Sequence, residues 1–228
     1  MRHDEILRKL KALENPRNVA GMARYGINPK NALGVPIPVL RNFAKDAGKD
    51  HELASKLWSS GIHEARLLAG FVDDPRLVSE AQMESWVSEF DSWDVCDQVC
   101  SNLFDKTKIA HDKALEWAGR DEEFVRRAGF VLMATLSVHD KKADDKEFLK
   151  FLPLIKKHST DERNYVKKAV NWALRQIGKR NMRLNAEAVR VARVIAKSGS
   201  KSARWIAKDA LRELESDAVR KRLKGKSR

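Results

Sequence analysis

Apolar residues in this chain recur at three- and four-residue steps through segment after segment, while strand-like alternation is nearly absent. That spacing puts them on one face of an α-helix, which returns to the same side about every 3.6 residues. Six prolines and eleven glycines among 228 residues leave few places to interrupt the pattern. It predicts helices over about Asp4–Leu13, Pro16–Tyr25, Val39–Ala47, His51–Ser59, His63–Val72, Glu80–Phe90, Ser92–Phe104, Ile109–Ala118, Glu122–Ser137, Asp145–Lys157, Asp161–Lys179, Ala186–Ser198, Ala203–Glu215 and Asp217–Lys224. Gly26–Pro38, which carries Asn28-Pro29 and Gly34-Val35-Pro36-Ile37-Pro38, is the one clear irregular loop.

The second half also resembles itself. Arg126-Arg127-Ala128-Gly129-Phe130-Val131-Leu132 lies 41 residues before Lys167-Lys168-Ala169-Val170-Asn171-Trp172-Ala173, and Ala173-Leu174-Arg175 returns 37 residues later as Ala210-Leu211-Arg212. A period near 40 residues with two helices per period is the pattern of a HEAT-like or armadillo-like solenoid. The expected fold is therefore all-α: one domain over 1–228, a right-handed stack of about six helix pairs with a basic concave face, ending in a short basic tail at about 221–228.

Charge then narrows the partner. Forty-five Lys and Arg against thirty-two Asp and Glu give +13 and a pI near 9.8. Such an excess favours polyanions, since each cation that meets a phosphate releases condensed counterions. A basic surface kept for solubility, ribosome binding or anionic lipid is the competing account. Arg126, Arg127, Lys167, Lys168, Arg175, Lys179 and Arg180 are expected to repeat with the helices and track a phosphate backbone, although any one of them would serve equally as a solvated charge. No apolar run reaches the roughly 18 residues of a membrane span, and Met1–Leu13 is charged and amphipathic, unlike a signal peptide. The expectation is a cytoplasmic, nucleoid-associated monomer without an obligate protein partner. Cys96 and Cys100 fall on one helical face and are expected in the core; no ligand cluster stands near them, so neither a metal nor another cofactor is expected.

Ser92-Trp93-Asp94-Val95-Cys96-Asp97 carries the most chemistry. Ser92 is placed to cap a helix with Val95, Val99 and Leu103 as its core stripe, which leaves Trp93 and Asp97 one turn apart on another face. An aromatic plane beside a carboxylate attracts a cation. Asp94, off that pair, is expected to be dispensable. A core Trp and a solvated Asp would give the same spacing. Trp172 alone reads as a packing residue and Arg127 alone as a surface charge.

Taken together these segments resemble the AlkD-type DNA alkylation repair family, 3-methyladenine DNA glycosylases built from HEAT-like repeats. The likeness runs through Met22-Ala23-Arg24-Tyr25, Leu33-Gly34-Val35-Pro36, Leu40-Arg41, Leu57-Trp58, His63-Glu64-Ala65-Arg66, Ser92-Trp93-Asp94-x-x-Asp97, Arg127-Ala128 and Lys168-Ala169-x-x-Trp172-x-Leu174-Arg175. It departs at Ser92, where a Trp-Trp pair can occur, and in its basic C-terminal tail. The resemblance implies that Trp93 and Trp172 are aromatic walls of the lesion site, Asp97 the catalytic carboxylate, Arg127 a phosphate contact and Tyr25 a DNA contact; Lys168 and Arg175 are further DNA-binding candidates. The implied partner is duplex DNA with alkylated bases, and the implied reaction is monofunctional hydrolysis of the N-glycosidic bond of a cationic purine such as 3-methyladenine or 7-methylguanine. The alternatives are a non-catalytic HEAT-repeat protein that binds damaged or unusual DNA, and a protein-interaction module. The set Trp93, Asp97, Arg127 and Trp172 separates the first two, because a pure binder need not keep Asp97 facing a polyanion.

Overall fold

The computed structural model describes residues 1–226. Ser227 and Arg228, the end of the expected basic tail, lie outside the described residues. Among those described there is no strand. The helices are α1 (His3–Ala12), α2 (Pro16–Arg24), α3 (Ile37–Ala47), α4 (His51–Ser59), α5 (His63–Val72), α6 (Glu80–Ser88), α7 (Trp93–Asn102), α8 (Ala110–Ala118), α9 (Glu123–His139), α10 (Asp145–Leu149), α11 (Leu152–His158), α12 (Asn164–Gly178), α13 (Met182–Ala196), α14 (Lys201–Leu214) and α15 (Asp217–Lys226), with a 3-10 turn at Phe104–Lys106. The chain gathers into two compact units, Met1–Thr107 and Lys108–Arg228.

In the first unit the side chains of Asn15, Asp50 and Ser79 accept main-chain N–H groups that α2, α4 and α6 would otherwise leave unmet. α5 is its most enclosed helix, packed against α3, α4 and α7. The Trp58 and Trp86 rings stack at 4.1 Å within the core, and Trp58 Nε1 donates to Glu89 Oε1 at 3.1 Å.

The second unit is organised by α9, buried almost all round from Val125 to Ser137 and packed on α8 and α12. Gly129 permits that approach, since a Cβ there would come within 2.3 Å of the Ala118 nitrogen. α12 continues the packing onto α13 and α14. The sequence pattern predicts one helix over Asp145–Lys157, and the structure has two, α10 and α11. Pro153 sits in the first turn of α11, where its missing N–H is harmless; inside a continuous helix its ring would clash with the carbonyl four residues back. The C-terminal segment, expected as a helix over Asp217–Lys224 that runs into a basic tail, is helix α15 as far as Lys226. Its Val219 and Leu223 are buried, and Arg222 Nη2 donates to the Lys179 carbonyl at 3.0 Å.

The repeat is written in the long-range hydrogen bonds. In the second unit Arg127 Nη1 reaches the Tyr165 carbonyl, Asn171 Nδ2 reaches Asp209, and Arg175 Nη1 reaches Glu213, each across 38 residues. In the first unit Trp58 reaches Glu89 and His63 reaches Asp94 across 31 residues, and Gly34 N–H reaches Glu64 across 30. The expected period near 40 thus describes the second unit, and the first repeats on a shorter one.

Candidate functional site

Each unit holds its own share of the residues singled out by sequence. In the first, Trp93 opens α7, and Val95, Val99 and Leu103 are its buried stripe, which leaves Trp93 and Asp97 half-buried on another face. Ser92 holds the N-cap position with extended backbone but makes no side-chain cap. Its hydroxyl instead donates to Asp94 Oδ1 at 2.8 Å and accepts the Asn28 N–H at 3.3 Å, which fastens the loop after α2 to the start of α7. Trp93 Nε1 donates to the Tyr25 carbonyl at 3.1 Å. The indole is therefore oriented by main chain at the end of α2, while the Tyr25 side chain stands 79% exposed beside it. Asp97 follows one helical turn, about 6 Å, along α7.

Behind Trp93 lies a cavity of about 510 Å³ with Met22, Ile27, Val35, Ile37 and Leu67 among its lining residues. His63 and Asp94 also border it, with His63 Nε2 and Asp94 Oδ2 2.9 Å apart. Burial opposes both charges, but each partner's hydrogen bond and charge outweigh it, so the His63 pKa is raised and that of Asp94 lowered. Asp94 is thus a part-buried anchor held by His63 and Ser92, and the expectation that it is dispensable is corrected. Next to His63, the buried Glu64 carboxylate accepts the main-chain N–H groups of Leu33 at 2.8 Å, Gly34 at 2.6 Å and Val35 at 3.3 Å. Gly34 has φ +76°, and a Cβ on it would lie 2.5 Å from the Asn15 carbonyl oxygen, so this turn requires glycine. Two consecutive residues at the start of α5 therefore tie down both the loop around 33–35 and the start of α7.

Cys96 and Cys100 remain thiols and are fully buried, the core role expected of them. Burial pushes the Cys100 thiol pKa up, which disfavours the reactive thiolate.

In the second unit, Arg127, Lys168, Trp172 and Arg175 stand on the packed pair α9 and α12. Arg127 is only 5% exposed, and its Nη1 donates to the Tyr165 carbonyl at 2.6 Å. Trp172 is half-buried and Lys168 exposed. Arg175 Nη1 meets Glu213 at 2.8 Å and Asp209 at 3.6 Å, and Lys179 Nζ meets the same Glu213 at 2.6 Å. Arg126 bridges Asp121 at 2.8 Å and Asp161 at 2.9 Å. Despite burial, hydrogen bonds from Arg163 and Arg126 hold the Asp161 pKa at about 2. Of the expected row of phosphate-facing cations, Arg126, Arg175 and Lys179 are each paired with a carboxylate about one repeat away, Asp161 for the first and Glu213 for the other two. The anchors His63, Glu64 and Asp94 lie in segments that carry the family resemblance, but spacing alone does not mark their roles, because their partners are main-chain groups or lie about 30 residues distant.

The sequence profile described as DNA alkylation repair enzyme matches residues 6–214. Among solved structures, the chain is similar to a protein of a family related to the HEAT-like repeat DNA glycosylases with affinity for branched DNA structures. The TM-score is 0.78, with 21% identity over 94% of this chain and 96% of that one, a likeness of fold. An engineered protein aligns over 77% of this chain and 90% of its own at 15% identity and TM-score 0.40, too low to carry an argument. No curated protein matches the sequence. With the HEAT-like fold and a profile match over most of its length, the chain belongs to the DNA alkylation repair enzyme family.

Proposed function

We propose that this protein is a monofunctional DNA glycosylase that hydrolyses the N-glycosidic bond of cationic alkylated purines in duplex DNA. The observation that carries the reading is the α7 pair: an indole oriented by the Tyr25 carbonyl, with the Asp97 carboxylate one turn along the same helix. A purine alkylated at N3 or N7 already bears positive charge and leaves as a neutral base without a general acid. What needs stabilising is the sugar as it becomes oxocarbenium-like, and a fixed carboxylate does this electrostatically. The C1′–N bond breaks, the electron pair leaves with the base, and water attacks C1′ and gives up a proton. Trp93 faces the cationic base, and Trp172 meets the DNA from its own unit. Tyr25, Lys168 and Arg127 contact the strand; Arg175 does so on leaving Glu213.

A second reading, a non-catalytic protein that binds unusual DNA structures, is favoured by the similarity to a protein with affinity for branched DNA. Single-turnover release of 7-methylguanine from methylated duplex decides between them. Asp97→Asn should slow release by roughly 10²–10³-fold while binding holds or tightens. Asp91→Asn, an exposed carboxylate just before α7, should release base at the wild-type rate. Absence of release by the wild-type protein would replace the glycosylase with the binder.

A further inference from the structure

Helix α15 lies past residue 214, where the family match ends, and it walls a cavity of about 760 Å³ in the second unit. Val219 and Leu223 anchor the helix, which leaves Arg220, Lys221, Arg222 and Lys224 exposed. Four cations line the cavity, Lys141, Lys179, Arg180 and Arg222, against one carboxylate, Asp145. Asp145 already accepts Asn181 Nδ2 at 2.6 Å, and Lys179 is held by Glu213. Arg180 is braced over the Phe148 ring at 4.2 Å, donating to the Ser137 carbonyl at 3.2 Å and the Ala143 carbonyl at 2.9 Å. Arg222 is fixed on the Lys179 carbonyl. Main-chain carbonyls thus account for part of this charge, but not for Lys141, whose exposed ammonium makes no ion pair among the described residues.

The cavity also has a direction. Lys168, Trp172, Gln176 and Arg180 follow at four-residue steps along and just past α12, and Gln176 lines the cavity one turn beyond Trp172. Six residues of helix from Trp172 to Gly178 rise about 9 Å, and the two residues on to Arg180 bring the step to roughly 12 Å. At about 3.4 Å per nucleotide along a strand, that spans three or four nucleotides.

We infer that this cavity is a phosphodiester site, in which Lys141, Arg180 and Arg222 take backbone phosphates of duplex DNA three or four nucleotides from the base that meets Trp172. The inference rests on the proposed role of Trp172 for its register and on nothing in the chemistry at Asp97. It gives α15, which the family match does not include, a function in gripping the flanking duplex.

The test measures duplex binding by anisotropy across a salt series for wild type, Lys141→Ala/Arg222→Ala and the charge-keeping Lys141→Arg/Arg222→Lys. Each lost phosphate contact removes about 0.9 from the slope of log K against log salt, so the alanine pair should flatten it by nearly two, and the charge-keeping pair should restore it. A neutral methylphosphonate three or four nucleotides from the modified base should weaken wild type but not the alanine pair, whereas the same substitution elsewhere should weaken both equally. An unaltered slope, or equal sensitivity of both proteins to the methylphosphonate at every position, overturns the site. If the wild type releases no base but the slope still flattens, the site stands and the glycosylase reading falls; base release with an unmoved slope gives the reverse.

Discussion

Glu64→Gln is the substitution whose cost follows most directly from the geometry. The carboxylate receives three main-chain N–H groups, Leu33 at one oxygen and Gly34 and Val35 at the other. Hydrogen bonds to a charged group contribute about 1.5–3 kcal/mol each, and a buried donor without a partner costs about 1–3 kcal/mol. Glutamine keeps one acceptor oxygen. With that oxygen on the Gly34 and Val35 side, its NH₂ confronts the Leu33 N–H donor to donor, and the two remaining bonds lose the charge. The sum is about 3–5 kcal/mol against the first unit. The loop it frees also holds α2, through Asn15 N–H to the Leu33 carbonyl at 2.7 Å and Asn18 Nδ2 to the Gly34 carbonyl at 2.8 Å. α2 in turn ends at the Tyr25 carbonyl that orients Trp93. Urea denaturation followed by tryptophan fluorescence should therefore show the loss of stability. Single-turnover base release, measured where the variant is still folded, should fall as well. A variant within 1 kcal/mol of wild type, with undiminished release, would refute the argument that Glu64 holds this loop.

The His63–Asp94 pair makes stability depend on pH. The raised His63 pKa stabilises the fold fully below about 6.5 and is lost as pH rises through its folded value; the lowered Asp94 pKa stabilises it above about 4 and is lost as pH falls. Denaturation midpoints should decline from pH 6 to pH 9 in the wild type and much less in His63→Gln, and a parallel decline in both would remove the pair as the cause. Gly129→Ala should destabilise the second unit by about 1–3 kcal/mol, because main-chain atoms of Ala118 cannot make way for a methyl group; a stabilised variant, as helix propensity alone predicts, would contradict the close approach. Arg126→Ala leaves Asp161 to Arg163 alone and should cost about 1–3 kcal/mol at pH 7. That difference should shrink as Asp161 protonates near its pKa of about 2, and its persistence in strong acid would point to lost packing instead.

Helices were legible wherever one face is apolar. His51–Ser59 and His63–Val72 are predicted to the residue, and most other ends fall within two. α13 begins at Met182, four residues before the pattern suggests, because Asn181 caps it through Leu184 N–H before its first buried residue appears. The α10–α11 break turns on Pro153 alone, a residue that periodicity does not weigh. Self-similarity was visible in the second half only, since contacts there recur at 38 residues, near the period sought, and those of the first unit at 30 and 31. Trp93 and Asp97 were legible as i and i+4 on one helix. The support beneath them was not: Glu64 reads main-chain groups, and nothing in a sequence marks a carboxylate that will meet three N–H donors. Charge misled in the opposite sense, because a count of Arg and Lys does not tell a guanidinium that faces phosphate from one that faces Glu213.

The contacts one repeat apart have a kinetic consequence. In the second unit most long-range hydrogen bonds among the described residues span about 30 to 40 residues, so these contacts form without the closure of a very long loop and the entropic barrier to each is modest. In the first unit, by contrast, Trp93–Tyr25 and Ser92–Asn28 close 68 and 64 residues. Folding can nucleate on any helix pair with a strong local interface, α8 with α9 being a natural starting point, and spread to its neighbours as the next repeat docks. The same arithmetic loosens all-or-none behaviour. Denaturant should open the two registers at different midpoints, and amide exchange should be slowest in α9 and fastest toward α1 and α15, a gradient along the chain in place of one global transition.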